Sequence, residues 1–116
     1  MEEDAELEFD ELTSIVLECA DLIPAGKVAT YGDIAAIVGT GPRQVGKIMA
    51  TTGQFTCWWR VVRSDGGSQV AARAQEQWAA EHIEFSQYSL PKVRMKQHRI
   101  SQEEWEEIAQ HVQRKL

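Results

Sequence analysis

The segment 56–66 contains the side chains best suited to covalent chemistry, a cysteine followed by two tryptophans and an arginine. A thiolate becomes a strong nucleophile when a neighbouring base or cation lowers its pKa. No histidine lies beside Cys57, and the indoles of Trp58 and Trp59 can neither attack an electrophile nor accept a proton. In an extended segment Cys57 also points to the opposite side from Trp58. The sequence therefore favours Cys57 as a small buried residue over Cys57 as a nucleophile.

Metal and cofactor chemistry find no support in the sequence. The two cysteines, Cys19 and Cys57, match no metal-ligand spacing and are predicted to be reduced thiols of an intracellular protein. The three histidines, His82, His98 and His111, follow no ligand spacing either. We therefore predict no metal site and no cofactor.

The charge of the chain is distributed unevenly along its length. The 116 residues carry a formal net charge of −6, but residues 1–21 contain nine acidic side chains and no lysine or arginine. The rest of the chain is therefore net positive, with its excess in two stretches, 22–75 and 92–99. This distribution favours a basic, nucleic-acid-binding face on an acidic protein. Ordinary solvated surface charge is the alternative.

Helical periodicity in the first half of the chain predicts the elements that must position these residues. Apolar residues at spacings of three and four indicate a first helix over 9–22, which the turn 24–26 ends. Thr30 is predicted to cap a second helix over 30–38, and a third helix runs over 43–52. Two short helices joined by a glycine-containing turn indicate a helix-turn-helix.

The second half of the chain combines helices with one extended segment. The apolar and β-branched run 57–62 predicts a strand or a tightly packed buried segment. A helix is predicted over 71–82, and residues 83–99 are predicted to be irregular. Ser101 and Glu104 form a capping box that begins the last helix.

Length and composition predict one domain over residues 9–116, preceded by a frayed acidic tail over 1–8. No apolar stretch approaches the roughly 20 residues of a membrane span, and no signal segment opens the chain. We therefore expect a soluble, cytoplasmic and monomeric protein that is associated with the nucleoid when it binds DNA.

Three segments occur in an order and spacing typical of one protein family: IPAGKVATYGDIA at 23–35, PRQVG at 42–46 and WWRVVRSDG at 58–66. Together they resemble the DNA-binding domain of the O6-alkylguanine-DNA alkyltransferases, and more closely that of their non-enzymatic branch, the alkyltransferase-like proteins. The resemblance runs from about Leu12 to His82. It implies a mainly α fold with a minor short β element, of the helix-turn-helix or winged-helix-like type of the alkyltransferase C-terminal domain.

The transferases of this family carry a Pro-Cys-His-Arg motif, in which the cysteine takes the alkyl group and the histidine, helped by a glutamate, activates it. Fixing the register on Arg60 puts Trp58 at the cysteine position and Trp59 at the histidine position. The glutamate position falls on Ile83, or on Glu84 after a slip of one residue. The resemblance therefore implies a protein that is not an enzyme. The residues that flank the tryptophan also depart from the usual pattern, so we expect a reshaped pocket.

The resemblance also implies residues that contact DNA. Arg43 matches an arginine finger that fills the space left by a flipped base, and Tyr31 matches a tyrosine that crowds the adjacent phosphate. The predicted DNA-binding residues are Tyr31, Arg43, Gln44, Gly46, Lys47 and Ala50, and the predicted lesion-pocket residues are Tyr31, Trp58, Arg60, Val61 and Ser64. The structural alternatives are a solvated helix terminus for Arg43, rim packing for Tyr31, core packing for Trp58 and backbone hydrogen bonding for Arg60.

The function implied by the resemblance is recognition of double-stranded DNA that contains O6-alkylguanine. The helix-turn-helix is expected to dock in the minor groove, flip the damaged base and bend the DNA without alkyl transfer. The bound protein would then mark the lesion for repair proteins, which in this family belong to nucleotide excision repair. The alternatives are an active alkyltransferase that uses Cys57 and a helix-turn-helix transcription regulator.

Overall fold

The computed structural model describes residues 10–68, 70–87 and 90–114. The predicted frayed segment 1–8 lies outside these residues. The elements in chain order are α1 (Glu11–Leu22), β1 (Ala29–Thr30), α2 (Tyr31–Val38), α3 (Pro42–Thr52), β2 (Val61–Val62), α4 (Ala71–Ala80), α5 (Met95–His98) and α6 (Gln102–Gln113). Two 3-10 turns, Gly53–Phe55 and Trp58–Arg60, lie between α3 and β2. The predicted fold class, mainly α with a minor β element, is confirmed.

Helices α1, α2, α3 and α6 enclose the larger of two apolar clusters. The periodic residues Ile15, Val16 and Cys19 of α1 are buried in it, as their spacing predicts. Helix α6 begins at the predicted capping box of Ser101 and Glu104. Its buried side chains are Trp105, Ile108 and Val112. The last helix therefore covers the core on the side of α1 and α2.

The predicted helix-turn-helix is present as α2 and α3. The Thr30 hydroxyl accepts a hydrogen bond from Asp33 N–H at 3.0 Å, and the Asp33 carboxylate accepts one from Thr30 N–H at 3.0 Å. This capping box fixes the start of α2. Gly39, with a φ of 86°, ends the helix in the left-handed conformation, and Pro42 begins α3 at the position where a missing N–H costs nothing.

Of the two structures predicted for 57–62, a strand or a tightly packed buried segment, the strand is present only in part. Only β2 at its end is extended, and β2 pairs in parallel with β1. Residues Trp58–Arg60 instead form a 3-10 turn, because the carbonyl of Cys57 accepts a hydrogen bond from Arg60 N–H at 3.0 Å. The alternation of a strand therefore does not decide the direction of the Cys57 side chain.

Helix α4 ends at Ala80, two residues before its predicted end. His82 adopts a φ of 61°, and Ile83 N–H donates to the carbonyl of Trp78 at 2.8 Å, so the chain reverses there. Trp78 is fully buried in the second apolar cluster, and its indole N–H donates to the carbonyl of Trp59 at 2.7 Å. Helix α4 is thereby fixed against the turn that carries the two tryptophans.

The segment 83–99 contains α5, which sequence reasoning did not predict, and is attached to the turn after β2. Val93 N–H donates to the carbonyl of Gly66 at 2.9 Å. Gly66 has a φ of 89°, and a Cβ at this position would collide with the Val93 carbonyl. No helix in the described part of the chain is both long enough and apolar enough to cross a membrane.

Candidate nucleic-acid interface

A groove of about 650 Å³ lies between the first turn of α2, the outer face of α3 and the residues that follow β2. Its lining consists of Thr30, Tyr31, Gly32, Pro42, Arg43, Gly46, Lys47, Ala50, Arg63 and Ser64. Five of the six residues predicted to contact DNA therefore lie on one surface. The sixth, Gln44, is exposed on α3 but is not part of this lining.

The charged side chains of the groove are cations. Arg43 and Lys47 are exposed, and the ion pairs among the described residues do not involve either of them. Arg63 has its Nε 3.6 Å from the Asp65 carboxylate. Burial raises the pKa of the Tyr31 hydroxyl, an effect that Arg63 partly opposes, so the hydroxyl is neutral and can donate a hydrogen bond. The groove thus offers cations and a hydroxyl donor to an anionic partner.

Beside its two cations, helix α3 presents the small residues Gly46 and Ala50 to the groove. A Cβ at Gly46 would meet no heavy atom within 4 Å, so internal packing does not require glycine there. The missing side chain leaves space for a partner to approach the helix backbone. The amide groups of the first turn of α3 add partial positive charge, which suits phosphate.

A second, smaller cavity of about 160 Å³ adjoins the groove. Its lining consists of Tyr31, Gly46, Met49, Ala50, Gly53, Gln54, Trp58, Ser68, Val70 and Arg73. Tyr31, Gly46 and Ala50 line both spaces, so the two spaces border one another at these residues. The volume of the smaller cavity is below the roughly 300–1,000 Å³ of most small-molecule pockets, so it can admit only a small group.

Trp58 forms a wall of the small cavity, and Arg73 lies over its ring. The guanidinium carbon of Arg73 is 5.2 Å from the centroid of Trp58, within cation–π range. The Trp59 ring meets Trp58 edge-on, with centroids 5.6 Å apart. Arg73 was missed by sequence reasoning, although it is the only lysine or arginine of the predicted helix 71–82. The cavity thus brings together an aromatic ring and a cation, two groups that can contact a nucleobase.

Arg60 and Val61, predicted as pocket residues, line neither of these two spaces. The Arg60 guanidinium turns inward, where Nε donates to Glu81 at 3.1 Å and Nη1 to the carbonyl of Ile23 at 2.8 Å. Val61 belongs to β2 and is 2% exposed, because strand pairing places it in the core. Ser64 lines the large groove instead of the small cavity. Of the predicted pocket residues, only Tyr31 and Trp58 meet there.

The Arg60–Glu81 ion pair is the main electrostatic feature behind the tryptophans. Both side chains are 13% exposed. Burial raises the pKa of Glu81. The hydrogen bonds from Arg60 and from Gly26 N–H lower this pKa by more than burial raises it, so the net pKa lies below its ordinary value. The Trp59 indole N–H is buried without a hydrogen-bond partner of good geometry among the described residues, although its proximity also lowers the pKa of Glu81.

The two thiols are not activated. Burial raises the pKa of Cys57, and the opposing effect of Arg60 does not reverse this. Burial also raises the pKa of Cys19 to about 12. Because the thiolate is the attacking species, both cysteines are poor nucleophiles at neutral pH. At the position aligned with the transferase glutamate, Ile83 is 2% exposed in the core and Glu84 is exposed to solvent.

Residues 11–105 match the protein family described as "6-O-methylguanine DNA methyltransferase, DNA binding domain". The chain belongs to this family. Membership of the 6-O-methylguanine DNA methyltransferase DNA-binding family fits the groove built on the helix-turn-helix and confirms the predicted resemblance. Within the described residues, no group of three histidine, cysteine or carboxylate side chains could hold a metal ion.

Two solved structures of this fold contain DNA. One is S. pombe Atl1 in complex with damaged DNA containing O6-carboxymethylguanine, with a TM-score of 0.72 and 31% sequence identity. The other is S. pombe ATL in complex with DNA, with a TM-score of 0.70 and 31% identity. Each similarity covers 81% of this chain and 98% of the other. No curated protein sequence matches the chain with significance.

Proposed function

We propose that this chain binds double-stranded DNA containing O6-alkylguanine and holds the damaged base, flipped out of the duplex, without transferring its alkyl group. The observation that carries the proposal is the junction of the two spaces. A cationic groove on α3 and a small cavity walled by Trp58 share the lining residues Tyr31, Gly46 and Ala50. The solved structure of S. pombe Atl1 with O6-carboxymethylguanine DNA supports the same class of ligand.

The energetics of this arrangement are balanced. Extruding a base from the duplex costs a few kcal/mol, and the cost is smallest where pairing is already weakened by damage. Stacking on an aromatic side chain returns about 1–3 kcal/mol per base. The remaining affinity comes from the phosphate contacts of Lys47 and Arg63, so binding weakens as salt increases. The lesion preference therefore depends on the small cavity and on Arg43 as the group that fills the vacated space, and the background affinity depends on the other cations of the groove.

Two features of the chain support binding without transfer. The residue aligned with the transferase nucleophile is Trp58, whose indole has no reactive lone pair or acidic thiol. The neighbouring Cys57 has a raised pKa and lies outside the lining of both spaces. A protein that binds the lesion and leaves it intact serves repair by marking the site. We propose that the repair proteins it serves are those of nucleotide excision repair.

A binding measurement combined with protein mass tests this function. A fluorescent duplex carrying one O6-methylguanine and its unmodified twin are titrated with the protein at one stated salt concentration, and the intact protein mass is then measured. Tighter binding to the lesion with unchanged mass is the expected result. A mass gain of one methyl group would instead identify a transferase, with Cys57 as the residue to examine. Equal binding to both duplexes would overturn lesion recognition.

Arg43→Ala is expected to reduce the affinity for the O6-methylguanine duplex by about tenfold, because the guanidinium can stack in the vacated space and hydrogen-bond the orphaned partner base. Binding to the unmodified duplex should weaken only slightly, because the variant loses one positive charge near the DNA phosphates. Arg43→Lys is the matched control, since it keeps the charge without the planar donor group. Unchanged lesion preference in Arg43→Ala would rule out the proposed finger role.

A further inference from the structure

The segment Lys92–Arg99 is attached at both ends to the rim of the groove. At one end, Lys92 Nζ lies 3.2 Å from the carboxylate of Asp65, which follows the groove residue Ser64. At the other end, Arg99 Nη2 lies 2.7 Å from the carboxylate of Asp33, which follows the groove residue Gly32. The basic stretch 92–99 noted in the sequence is thus placed beside the groove.

Between these two anchors the segment presents exposed cations on a fixed backbone. Arg94 N–H donates to the carbonyl of Glu84 at 2.9 Å, and the His98 ring contacts the carbonyl of Gly26 at 3.1 Å. The side chains of Arg94 and Lys96 are exposed, and no ion pair among the described residues includes them. Their charges are therefore available to a partner. Because the backbone is already held by hydrogen bonds, binding a partner costs little backbone conformational entropy.

The anchoring cations also keep access to solvent. The side chains of Lys92 and Arg99 are 46% and 51% exposed. Ion pairs at such exposure contribute little to stability, so exchanging a carboxylate for a phosphate costs little. Lys92 shares the Asp65 carboxylate with the groove residue Arg63, so a chain of ion pairs joins the groove to the segment.

We propose that Lys92–Arg99 forms a second phosphate-binding strip, through which the protein contacts the DNA backbone beyond the groove on α3. The inference rests on the proposed DNA-binding function. The groove supplies the cations of α3, and the strip supplies Arg94 and Lys96 from a segment anchored next to the groove residues Gly32 and Ser64. Double-stranded DNA, with one charge per roughly 1.7 Å of helix axis, offers phosphates to both sets at once. Such contacts position the protein and carry no sequence or lesion information.

The double variant Arg94→Gln, Lys96→Gln tests the strip. Binding of the unmodified duplex is measured between about 50 and 200 mM salt. Log affinity falls linearly with log salt, and each lost phosphate contact makes this fall less steep by about 0.9. The dependence on salt is expected to be less steep than that of the natural protein by up to about 1.8. The loss of affinity between about 50 and 200 mM salt is then about tenfold smaller than in the natural protein. The affinity ratio between lesion and unmodified duplex should stay unchanged.

Arg114→Gln is the matched control, because Arg114 is an exposed cation at the end of α6 and lies outside the lining of the groove. Its slope should equal that of the natural protein. A slope in the double variant equal to that of the natural protein, or a per-charge change no larger than in Arg114→Gln, would overturn the strip. Absence of lesion preference in the natural protein would instead overturn the proposed function, and a reduced slope in the double variant would still support the strip.

Discussion

Replacing Trp58 by alanine is expected to weaken binding to the O6-methylguanine duplex by roughly 5-fold to 150-fold, while binding to the unmodified duplex changes little. The magnitude follows from a stacking contribution of about 1–3 kcal/mol per base, at about 1.4 kcal/mol for each factor of ten. Trp58 walls the small cavity, whereas the phosphate-binding cations line the groove. Titration of both duplexes at one salt concentration separates the two contributions.

The expected loss has a second cause, because the alanine variant removes the support of Arg73. The guanidinium lies 5.2 Å from the Trp58 centroid, and without that ring it has no aromatic surface to hold it over the cavity. Both the stacking surface and the cation above it are therefore disturbed together. Trp58 also packs against both apolar clusters, so the variant should be measured well below its unfolding temperature.

Trp58→Phe is the matched control, since it keeps an aromatic face in the same position with less contact area. Its lesion preference is expected to fall between those of the natural protein and the alanine variant. A full lesion preference in Trp58→Ala would show that the damaged base is held elsewhere, and the cavity assignment would then be wrong.

The parts of the fold that sequence predicts well are those fixed by local chemistry. The capping box of Thr30 and Asp33, the left-handed Gly39 and the first-turn Pro42 each act within a few residues of their own position. Because each of these signals has a short-range cause, the bounds of α2 and α3 could be predicted closely. The residues of the large groove could be predicted closely for the same reason, since α2 and α3 supply most of its lining.

The small cavity could not be predicted as well, because its walls come from distant parts of the chain. Met49, Val70 and Arg73 meet Trp58 only after the 3-10 turn and α4 have packed together. The strand expected at 57–62 would have alternated its side chains, whereas the 3-10 turn sets the two indoles edge to face. The backbone hydrogen bonding given as the alternative for Arg60 is present in its bond to the Ile23 carbonyl, whereas its ion pair with Glu81, 21 residues away, had no sequence signal.

The partnership of Arg60 with Glu81 gives the second large expected effect. Glu81→Gln is expected to lower the free energy of unfolding at pH 7 by about 2–3 kcal/mol, because it leaves the Arg60 charge largely buried without its counter-ion. The value is set below that of a fully buried pair because each side chain keeps 13% exposure. Urea unfolding of both proteins gives the difference directly.

Breaking the same pair is expected to loosen the small cavity walled by Trp58. Glu81 accepts hydrogen bonds from Arg60 and from Gly26 N–H, and Arg60 ends the turn that carries Trp58. Glu81→Gln should therefore weaken binding to the O6-methylguanine duplex more than binding to the unmodified duplex. Arg60→Lys provides a matched comparison, since it keeps the charge opposite Glu81 but loses the paired donor geometry of the guanidinium.

Acidification distinguishes the ion pair from simple packing. The folded-state pKa of Glu81 lies below its ordinary value, so its contribution to stability is present above the unfolded-state pKa of about 4.3 and is lost as the pH falls through the folded-state pKa. The stability difference between the natural protein and Glu81→Gln should therefore be largest at neutral pH and shrink below about pH 4. Asp65, whose pKa is also lowered, is common to both proteins and cancels in the difference. A difference that stays constant from pH 7 to pH 3 would mean that the carboxylate contributes through shape and hydrogen bonding alone, without its charge.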